Sequence, residues 1–308
     1  MARSRHRWLA SAWLLAGATA CEATRFREVE ASLTSVAAAP APAPHAGGRP
    51  PLRFSVAAVE SPRDTYSAYS HLFGRVAARL DRSAEFVQRP TYAEVNDLLA
   101  LGSVDVAFLC TGGWLELQRR SPGAAEVLAV PVVGGEASYR SLVVVPAASP
   151  ARGMADLAGK RFAYTDELSL SGKSYVVRLL ETTGHAPDRF FDAVTYTRSH
   201  DRSITAVARG IVDGAAVHSL VFAHMTARDP SLAGRVRVIH RSPPFGGMPV
   251  VASLRLPLEV RQRLRRTLLD LPDDPAGAAA LRELGIERFV EPRPGLYDGT
   301  ARWSEARR

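Results

Sequence analysis

From residue 52 onward, short apolar runs alternate with longer stretches in which apolar residues recur every three or four positions. The short runs predict strands, and the longer stretches predict amphipathic helices. The predicted strands are 52–58, 85–88, 104–109, 141–145, 161–164, 211–217, 236–240 and 250–253. The predicted helices are 66–80, 92–101, 173–183, 204–209, 258–271 and 276–284. This alternation is typical of α/β proteins with mostly parallel sheets, in which ligands bind at the carboxyl ends of the strands.

The N-terminus has the layout of a secretory signal. Three arginines within the first seven residues precede an apolar run at 8–16, and small residues follow up to Cys21. The apolar run is shorter than the roughly 20 residues that a membrane-spanning helix needs, and no other segment of the sequence approaches that length. We therefore predict a signal peptide at residues 1–20 and a periplasmic or cell-envelope location.

Cys21 leaves two interpretations of how the signal ends. Ala18-Thr19-Ala20 satisfies an A-x-A cleavage site. Followed by Cys21 it also resembles a bacterial lipoprotein box, although Ala18 stands where that box usually has Leu. Lipidation of Cys21, which would anchor the protein to the membrane, and plain secretion both fit. Residues 21–51 are rich in Ala and Pro and too poor in large apolar residues to fold, so we expect a semi-rigid tether there.

Composition narrows the classes of protein further. The 308 residues are 46% apolar and 23% charged, as in an ordinary folded protein. Basic residues exceed acidic ones by 39 − 31 = 8, but no basic run is interleaved with aromatic residues, so nucleic-acid binding is not expected. The two cysteines, Cys21 and Cys110, are too few for a disulfide framework or a Cys-rich zinc site. No cofactor is predicted.

The segment 162–172 is the richest in candidate chemistry. A strand ends there, a small polar loop follows, and an amphipathic helix begins near Gly172. Ser169 or Ser171 can cap that helix. Gly172 lets a ligand approach the backbone, and Lys173 adds a cation. The unpaired N–H groups of the first turn would bind an oxyanion. The alternative is an ordinary capped helix whose Ser and Lys side chains face solvent.

Two histidines stand at the ends of other predicted elements. His200 lies just before the helix at 204–209, where its ring N–H can reach an anion, and His218 follows the strand at 211–217. Each can equally be an ordinary loop histidine. Ser219 lacks the flanking glycines of a nucleophile elbow, and Cys110 has no histidine near it in the sequence. The histidines also lack metal-ligand spacing, so neither catalytic residues nor a metal site is predicted.

Eight short motifs follow one another in an order that resembles the substrate-binding proteins of phosphonate, phosphite and phosphate ABC transporters. Residues 102–107 match the pattern G-x-[VA]-D-[IVL]-A, and 206–213 resemble A-V-A-x-G-x-V-D. Ser-Leu-Ser-Gly at 169–172 resembles the anion loop S-T-S-G, with Leu170 in place of Thr. The other motifs are Tyr92-Ala93-Glu94, Tyr139-Arg140-Ser141, 154–160, Ser199-His200-Asp201 and 241–249.

The resemblance implies a two-lobed fold of the periplasmic-binding-protein type. Each lobe would be a mostly parallel sheet flanked by helices, and two hinge crossings would join the lobes. Lobe one would comprise residues 52–145 and 245–295, and lobe two residues 146–244. Residues 296–308 would form a C-terminal tail.

The resemblance also implies a ligand site between the lobes. The anion loop and one histidine of lobe two would hold the oxyanion, with Lys173 as an addition to the family pattern. Tyr139 and Thr111 would approach from the opposite lobe, and Glu60 and His218 would face the rest of the ligand. The expected ligand-binding residues are Ser169, Ser171, Gly172, Lys173, His200, Tyr139, Thr111, Glu60 and His218.

The implied function is capture of a phosphonate-, phosphite- or phosphate-like oxyanion for an ABC importer. The protein would be a monomer that makes and breaks no bond, and its partners would be the oxyanion and an ABC permease. The alternative is a ligand-sensing module of an extracytoplasmic signalling system, with the same two-lobed fold and a sensor protein as partner. An extracytoplasmic hydrolase is disfavoured, because the sequence shows no nucleophile and base at a suitable spacing.

Overall fold

The computed structural model describes residues 49–59 and 62–304. The predicted signal peptide, Cys21, the tether up to residue 48 and Glu60 lie outside the described residues. No described helix is long and apolar enough to cross a membrane.

Strands and helices alternate along most of the described chain. The strands are Leu52–Val56 (β1), Ala84–Phe86 (β2), Val106–Phe108 (β3), Ala125–Val132 (β4), Ser138–Tyr139 (β5), Ser141–Pro146 (β6), Arg161–Tyr164 (β7), Ala193–Tyr196 (β8), Gly214–His218 (β9), Val236–Arg241 (β10), Phe245–Gly246 (β11), Val250–Ser253 (β12) and Arg288–Val290 (β13). The helices are Pro62–Ala78 (α1), Tyr92–Leu101 (α2), Thr111–Arg120 (α3), Tyr175–Thr182 (α4), Pro187–Phe190 (α5), His200–Ala208 (α6), Ser219–Arg228 (α7), Pro230–Ala233 (α8), Leu258–Leu269 (α9), Pro275–Glu283 (α10) and Asp298–Ser304 (α11).

The first lobe is built on a six-stranded sheet in the order β13-β4-β12-β3-β1-β2. Strands β2, β1 and β3 are parallel, whereas β12, β4 and β13 join them in antiparallel pairs. Helices α1, α9 and α10 cover one face. Phe54 of β1 stacks on Phe73 of α1 with ring centroids 4.6 Å apart, and Leu128 of β4 is fully buried in the same core.

The second lobe is built on a five-stranded sheet in the order β10-β6-β9-β7-β8. Strands β9, β7 and β8 are parallel, and β6 and β10 are antiparallel to their neighbours. Strand β4 runs in the same direction as β1, β2 and β3, and β10 in the same direction as β7, β8 and β9, so most strands of each sheet share one direction, as predicted, and only β12, β13 and β6 are reversed. The reversed strands β6 and β12 each begin directly after a crossing between the lobes, and a chain that arrives from the other lobe is free of the crossover geometry that makes βαβ strands parallel.

Two crossings join the lobes, as predicted. The chain leaves the first sheet after β4 and returns to it at β12, and the short strands β5 and β11 of the two crossings pair with each other. The predicted boundary after residue 145 is wrong, because β6 (Ser141–Pro146) pairs with β9 and β10 of the second sheet. The first crossing therefore ends before Ser141.

The predicted C-terminal tail is also partly wrong. Residues Asp298–Ser304 form α11, which packs on the second crossing. Thr300 accepts a hydrogen bond from the backbone N–H of Gly246 (3.4 Å), and the ring of Trp303 lies 5.0 Å from that of Tyr175. Its hydroxyl partner is therefore on the second crossing and its aromatic partner is on α4 of the second lobe, and neither contact can be seen from the C-terminal sequence alone.

Helix α2 is fixed at both ends by its own sequence. Thr91 accepts a hydrogen bond from the N–H of Glu94, and the Glu94 carboxylate accepts one from the N–H of Thr91, which together form a capping box. Gly102 ends the helix in the left-handed conformation (φ 72°), which costs glycine little. These caps set where α2 begins and so place Tyr92 at the edge that faces the second lobe.

Several elements were not predicted from the sequence, including β4, β8, α3 and α7. Helix α3 begins with Thr111, Gly112 and Gly113, and glycine disfavours helix. The helix forms nonetheless because Trp114 and Leu117 are buried against the first sheet. Tertiary packing outweighs local propensity here.

The core position of Leu128 gives a test of the first lobe. Leu128→Ala should lower the free energy of unfolding by about 2–5 kcal/mol, because it leaves a cavity in a fully buried site. Leu101→Ala is the matched control, since Leu101 is 68% exposed and its loss should change stability by less than about 0.5 kcal/mol. Urea unfolding followed by circular dichroism measures both. Equal effects of the two substitutions would contradict the placement of β4 in the core.

Candidate functional site

Buried polar side chains concentrate where the two lobes meet. Most of them follow the carboxyl ends of β3, β7 and β9 or start the helices next to them. Each is at most 1% exposed. The members of this buried polar cluster are Thr111, Ser141, Thr165, Asp166, Ser169, Ser171, Ser199, His200, Ser203 and His218.

The loop after β7 holds itself together by its own hydrogen bonds. Ser169 caps a wide π-helical turn, Leu170–Ser174, and its hydroxyl accepts a hydrogen bond from the N–H of Gly172 (3.0 Å). The carbonyl of Gly172 accepts one from the N–H of Thr165 (3.1 Å). A side chain at Gly172 would place Cβ only 2.5 Å from the Thr165 hydroxyl. The close approach that requires glycine here is therefore with Thr165, and the Gly172 amide predicted to face an anion is bonded within the loop.

Two histidines meet beside this loop, and their backbone contacts fix their tautomers. Nδ1 of His200 accepts a hydrogen bond from the backbone N–H of His218 (3.1 Å), so its Nε2 carries the proton, 3.5 Å from the Ser169 hydroxyl. Nδ1 of His218 accepts one from the N–H of Leu220 (3.2 Å) at the start of α7. The Nε2–H of His218 is thus a donor, and it has no acceptor. The ring of Tyr139 stacks on His218 with centroids 4.0 Å apart.

Burial favours the neutral forms of the two histidines and of the two tyrosines beside the cluster. Burial lowers the pKa of His218 to about 3, and burial with the neighbouring His218 lowers the pKa of His200 well below its ordinary value. Burial raises the pKa of Tyr92 and of Tyr139. At neutral pH these two histidines and two tyrosines therefore present uncharged N–H and O–H groups.

Four of these buried groups make no hydrogen bond of normal geometry, although Ser169 lies near the Tyr92 hydroxyl and Thr111 near that of Tyr139. They are the hydroxyls of Ser171, Tyr92 and Tyr139 and the Nε2–H of His218. A buried polar group without a partner costs about 1–3 kcal/mol, and such groups are rare in folded proteins. They lie in one region. Tyr139 stacks on His218, Ser141, paired with His218 across β6 and β9, donates to the carbonyl of Ser171 (2.6 Å), and the Tyr92 hydroxyl lies near Ser169 of the same loop. The arrangement is suited to a ligand rich in acceptors.

The two lobes touch directly at this cluster. The Asp166 carboxylate accepts hydrogen bonds from the N–H of Tyr92 at the start of α2 (3.3 Å) and from Leu168 (2.8 Å). Gly112 lies so close to the loop that a Cβ there would be 2.2 Å from the carbonyl oxygen of Leu168. The loop after β7 thus bonds to the N-terminus of α2 and packs against that of α3.

Two of the predicted residues have other partners. Lys173 forms an ion pair with Glu167 outside the buried cluster, so the structure does not bring its ammonium to the other predicted residues. Thr111 is buried, but its hydroxyl donates to the carbonyl of Gly246 in the second crossing (3.0 Å). Ser169, Ser171, His200, His218 and Tyr139 are brought together.

Sequence reasoning missed Thr165, Asp166, Ser141 and the site position of Tyr92. Thr165 and Asp166 directly follow β7, so the rule that ligands bind at strand carboxyl ends could have found them. No comparable sequence pattern marks Tyr92 and Ser141, because their positions in the site depend on how the two lobes contact each other. Among the described residues, no three His, Cys, Asp or Glu side chains are grouped so as to hold a metal ion.

Two α/β lobes, two crossings and a buried set of polar groups between the lobes define the class of two-lobed periplasmic binding proteins. The model of the family described as the periplasmic substrate-binding protein of the phosphonate ABC transporter matches residues 54–297. The chain therefore belongs to this family of ABC-transporter substrate-binding proteins.

Similar proteins agree with this assignment. The phosphate-import protein PhnD of Mycolicibacterium smegmatis is 25% identical over 228 residues, which cover 70% of each chain. A binding-protein component of an ABC phosphonate transporter from Pseudomonas aeruginosa superposes with a TM-score of 0.74 at 21% identity, over 80% of this chain and 83% of its own. PhnD1 of Prochlorococcus marinus, solved with methylphosphonate, gives 0.71 at 16% identity, over 82% and 96%.

The family membership settles the broad role. The chain is an extracytoplasmic solute-binding protein of an ABC importer and belongs to no enzyme class. The alternative of a signalling module finds no support in these comparisons.

Contact between the lobes at Gly112 can be tested by adding one methyl group. Gly112→Ala should force the lobes apart, because its Cβ would overlap the backbone of Leu168. Gly113→Ala is the matched control in the same helix, since its Cβ would lie 3.7 Å or more from any neighbour. Small-angle X-ray scattering should show a larger radius of gyration for Gly112→Ala alone. If the closed form falls to a tenth of the molecules, apparent affinity for a ligand that needs closure falls about tenfold. Identical scattering for both variants would contradict the contact.

Asp166 should give the protein a characteristic pH dependence. Burial raises the pKa of its carboxyl, so the folded state binds a proton more tightly than the unfolded state, whose pKa is about 4. Stability contributed by this group is therefore lost as pH rises from about 4 through the folded-state pKa. Urea unfolding across this range should show wild type losing stability relative to Asp166→Asn as pH rises. Parallel curves for the two proteins would show that the carboxyl is not perturbed.

Proposed function

We propose that this protein captures an oxyanion of the phosphonate, phosphite or phosphate class between its lobes and passes it to the permease of an ABC importer. The observation that supports this most directly is the group of four buried donors without partners, contributed by Ser171, Tyr92, Tyr139 and His218. A tetrahedral oxyanion carries several acceptor oxygens and would satisfy these groups together.

The donors suit an anion although they carry no charge. Hydrogen bonds from neutral N–H and O–H groups to an ionised oxygen are about twice as strong as those between neutral partners. No Lys or Arg is among the buried residues of the described chain. The negative charge of the ligand would therefore be stabilised by oriented N–H and O–H dipoles rather than by a positively charged side chain.

Closure would complete the site. Ser171, His200 and His218 belong to the second lobe, and Tyr92 and Thr111 to the first, with Tyr139 in the crossing. A ligand bound first to the second lobe would gain the tyrosine hydroxyls only when the lobes meet. Such a ligand binds the closed form more tightly than the open form, so it shifts the population toward closure.

The ligand class is supported by the similar proteins. The name of the Mycolicibacterium smegmatis relative refers to phosphate import, and the Prochlorococcus marinus structure contains methylphosphonate. The predicted contacts of Ser169 with the oxyanion and of Glu60 with the rest of the ligand belong to this proposal as well, whereas the Gly172 amide and the Thr111 hydroxyl already have partners within the protein.

We extend the proposal to how the protein is held in the envelope. Lipid attached to Cys21 would anchor it, and the Ala/Pro-rich tether would let a monomeric binding domain turn toward the permease. Replacing Cys21 by Ser should release the protein from the membrane fraction while the folded domain keeps its ligand affinity.

The role of the Ser171 hydroxyl can be tested with a matched pair of serines. Ser171→Ala should weaken binding of methylphosphonate or phosphate by about tenfold or more in isothermal titration calorimetry, because it removes a hydrogen bond to a charged group. Ser55→Ala is the control, since the Ser55 hydroxyl is equally buried and unpaired but lies in β1. Neither substitution should lower stability.

Two results would contradict the proposal. One is unchanged affinity in Ser171→Ala with normal binding by wild type. The other is a wild-type protein that binds none of phosphate, phosphite and methylphosphonate.

A further inference from the structure

The last helix of the described chain contacts both lobes and the second crossing. The chain reaches α11 from β13 of the first sheet through residues 291–297. The helix lies against α3 of the first lobe, against β11 in the crossing, and against α4 and the π-helical turn Leu170–Ser174 of the second lobe. One short helix therefore touches the two bodies that move apart when the lobes open and the segment that joins them.

The start of this C-terminal segment is fixed to the crossing and to the first lobe. Tyr297 donates a hydrogen bond to the carbonyl of Gly247 (3.0 Å) and packs against the core beneath α2 and α3. Thr300 is 3% exposed and accepts a hydrogen bond from the N–H of Gly246 (3.4 Å). A Cβ at Gly246 would lie 2.7 Å from the carbonyl oxygen of Leu296. The approach is so close that only glycine fits, so this end of the segment is anchored.

Trp303 makes the contact with the second lobe. Its ring lies 5.0 Å from that of Tyr175, the first residue of α4, and packs against the core of the second lobe. Tyr175 is 2% exposed, and its hydroxyl forms a hydrogen bond of 2.7 Å with Nε2 of His240 in β10. Trp303 therefore packs on a ring that is held in place by the second lobe itself.

The contacts of α11 with the two lobes belong to the arrangement in which the lobes touch. Helix α3 and the loop after β7 are both neighbours of α11, and they approach each other at Gly112 and Leu168. A rotation that separates Gly112 from Leu168 also separates α3 from the loop. Because Tyr297 and Thr300 anchor α11 to the crossing and the first lobe, the helix would stay with α3, and Trp303 would lose its contact with the second lobe.

We propose that α11 is a strap that stabilises the closed arrangement, in which Tyr297 and Thr300 hold the helix on the crossing and Trp303 holds the second lobe. The proposal goes beyond the proposed function, because the strap acts in the ligand-free protein. Trp303 is not among the residues predicted to bind the ligand. It sets the fraction of molecules that are closed, and a ligand that needs closure gains apparent affinity in proportion to that fraction.

The distance between the lobes in the ligand-free protein tests the strap. Ser103 and Asp192 are exposed and precede β3 and β8, at the ends of the strands away from the contact between the lobes. Spin labels can be attached through Ser103→Cys and Asp192→Cys in the full chain with Cys21→Ser, because Cys110 is buried. Double electron–electron resonance should show the ratio of closed to open molecules falling about fivefold in Trp303→Ala, as expected for the loss of one aromatic pair.

A matched control removes an aromatic pair that lies within one lobe. Tyr66 of α1 is 54% exposed and stacks on Phe86 of β2 with centroids 5.5 Å apart. Tyr66→Ala should lower the free energy of unfolding but leave the ratio of closed to open molecules unchanged. Identical distance distributions in wild type and Trp303→Ala would overturn the proposal, and so would equal shifts in Trp303→Ala and Tyr66→Ala.

A double-mutant cycle identifies the partner of Trp303. Tyr175→Leu removes the ring but keeps an apolar side chain in the core of the second lobe, so it should itself lower the ratio of closed to open molecules. Adding Trp303→Ala should then change the ratio by less than about twofold, because the contact is already lost. The full effect of Trp303→Ala in both backgrounds would overturn the assignment of the contact. If Tyr175→Leu fails to fold, the comparison of Trp303→Ala with Tyr66→Ala still decides the proposal.

The strap and the proposed function fail in different ways. If neither phosphate nor methylphosphonate binds but Trp303→Ala opens the ligand-free protein, the proposed function is wrong and the strap stands. If wild type binds methylphosphonate and Trp303→Ala leaves the distance between the lobes unchanged, only the strap is wrong.

Discussion

An anion can be buried in a protein only if donors replace the water that it leaves, and under the proposed function this constraint organises the centre of the molecule. The donors must be fixed before the ligand arrives, because reorienting them would consume the binding energy. His218 shows how the fold achieves this. The N–H of Leu220 occupies its Nδ1, Tyr139 stacks on its ring, and burial lowers its pKa to about 3. The Nε2–H is consequently a neutral donor in a fixed position.

The loop after β7 and the histidine pair depend on one another. Ser169 accepts from Gly172 within the loop and lies 3.5 Å from Nε2 of His200, whose Nδ1 in turn accepts from the backbone of His218. The chain of contacts thus runs from the loop through His200 to the strand that carries His218. The backbone amide of Gly172 is used to hold this frame, which leaves side-chain hydroxyls and ring N–H groups as the groups available to a ligand.

The sequence predicted the alternation of strands and helices, the two lobes and five of the residues in the central cluster. The alternation and the polar loop at 169–173 follow from apolar periodicity and strand-end polarity, which are local properties of the chain, whereas the two lobes and Thr111 were implied by the resemblance of eight short motifs to the family. The features that the sequence did not predict share a different physical cause. The start of α3 at Thr111, the antiparallel run of β6 and the position of Tyr92 depend on contacts between distant segments. Lys173 is predicted to bind an anion because the sequence alone does not show that its ammonium forms an ion pair with Glu167.

Under the proposed function, recognition would depend mainly on the directions of fixed donors. Hydroxyl and imidazole groups act over about 3 Å, so Ser171, Tyr92, Tyr139 and His218 would select a ligand by the positions of its acceptor oxygens. Tyr139 lies in the first crossing and stacks on His218 of the second lobe. The contact that orients the His218 donor is therefore also a contact between the crossing and the second lobe, so ligand binding and the arrangement of the lobes would depend on the same stacked pair.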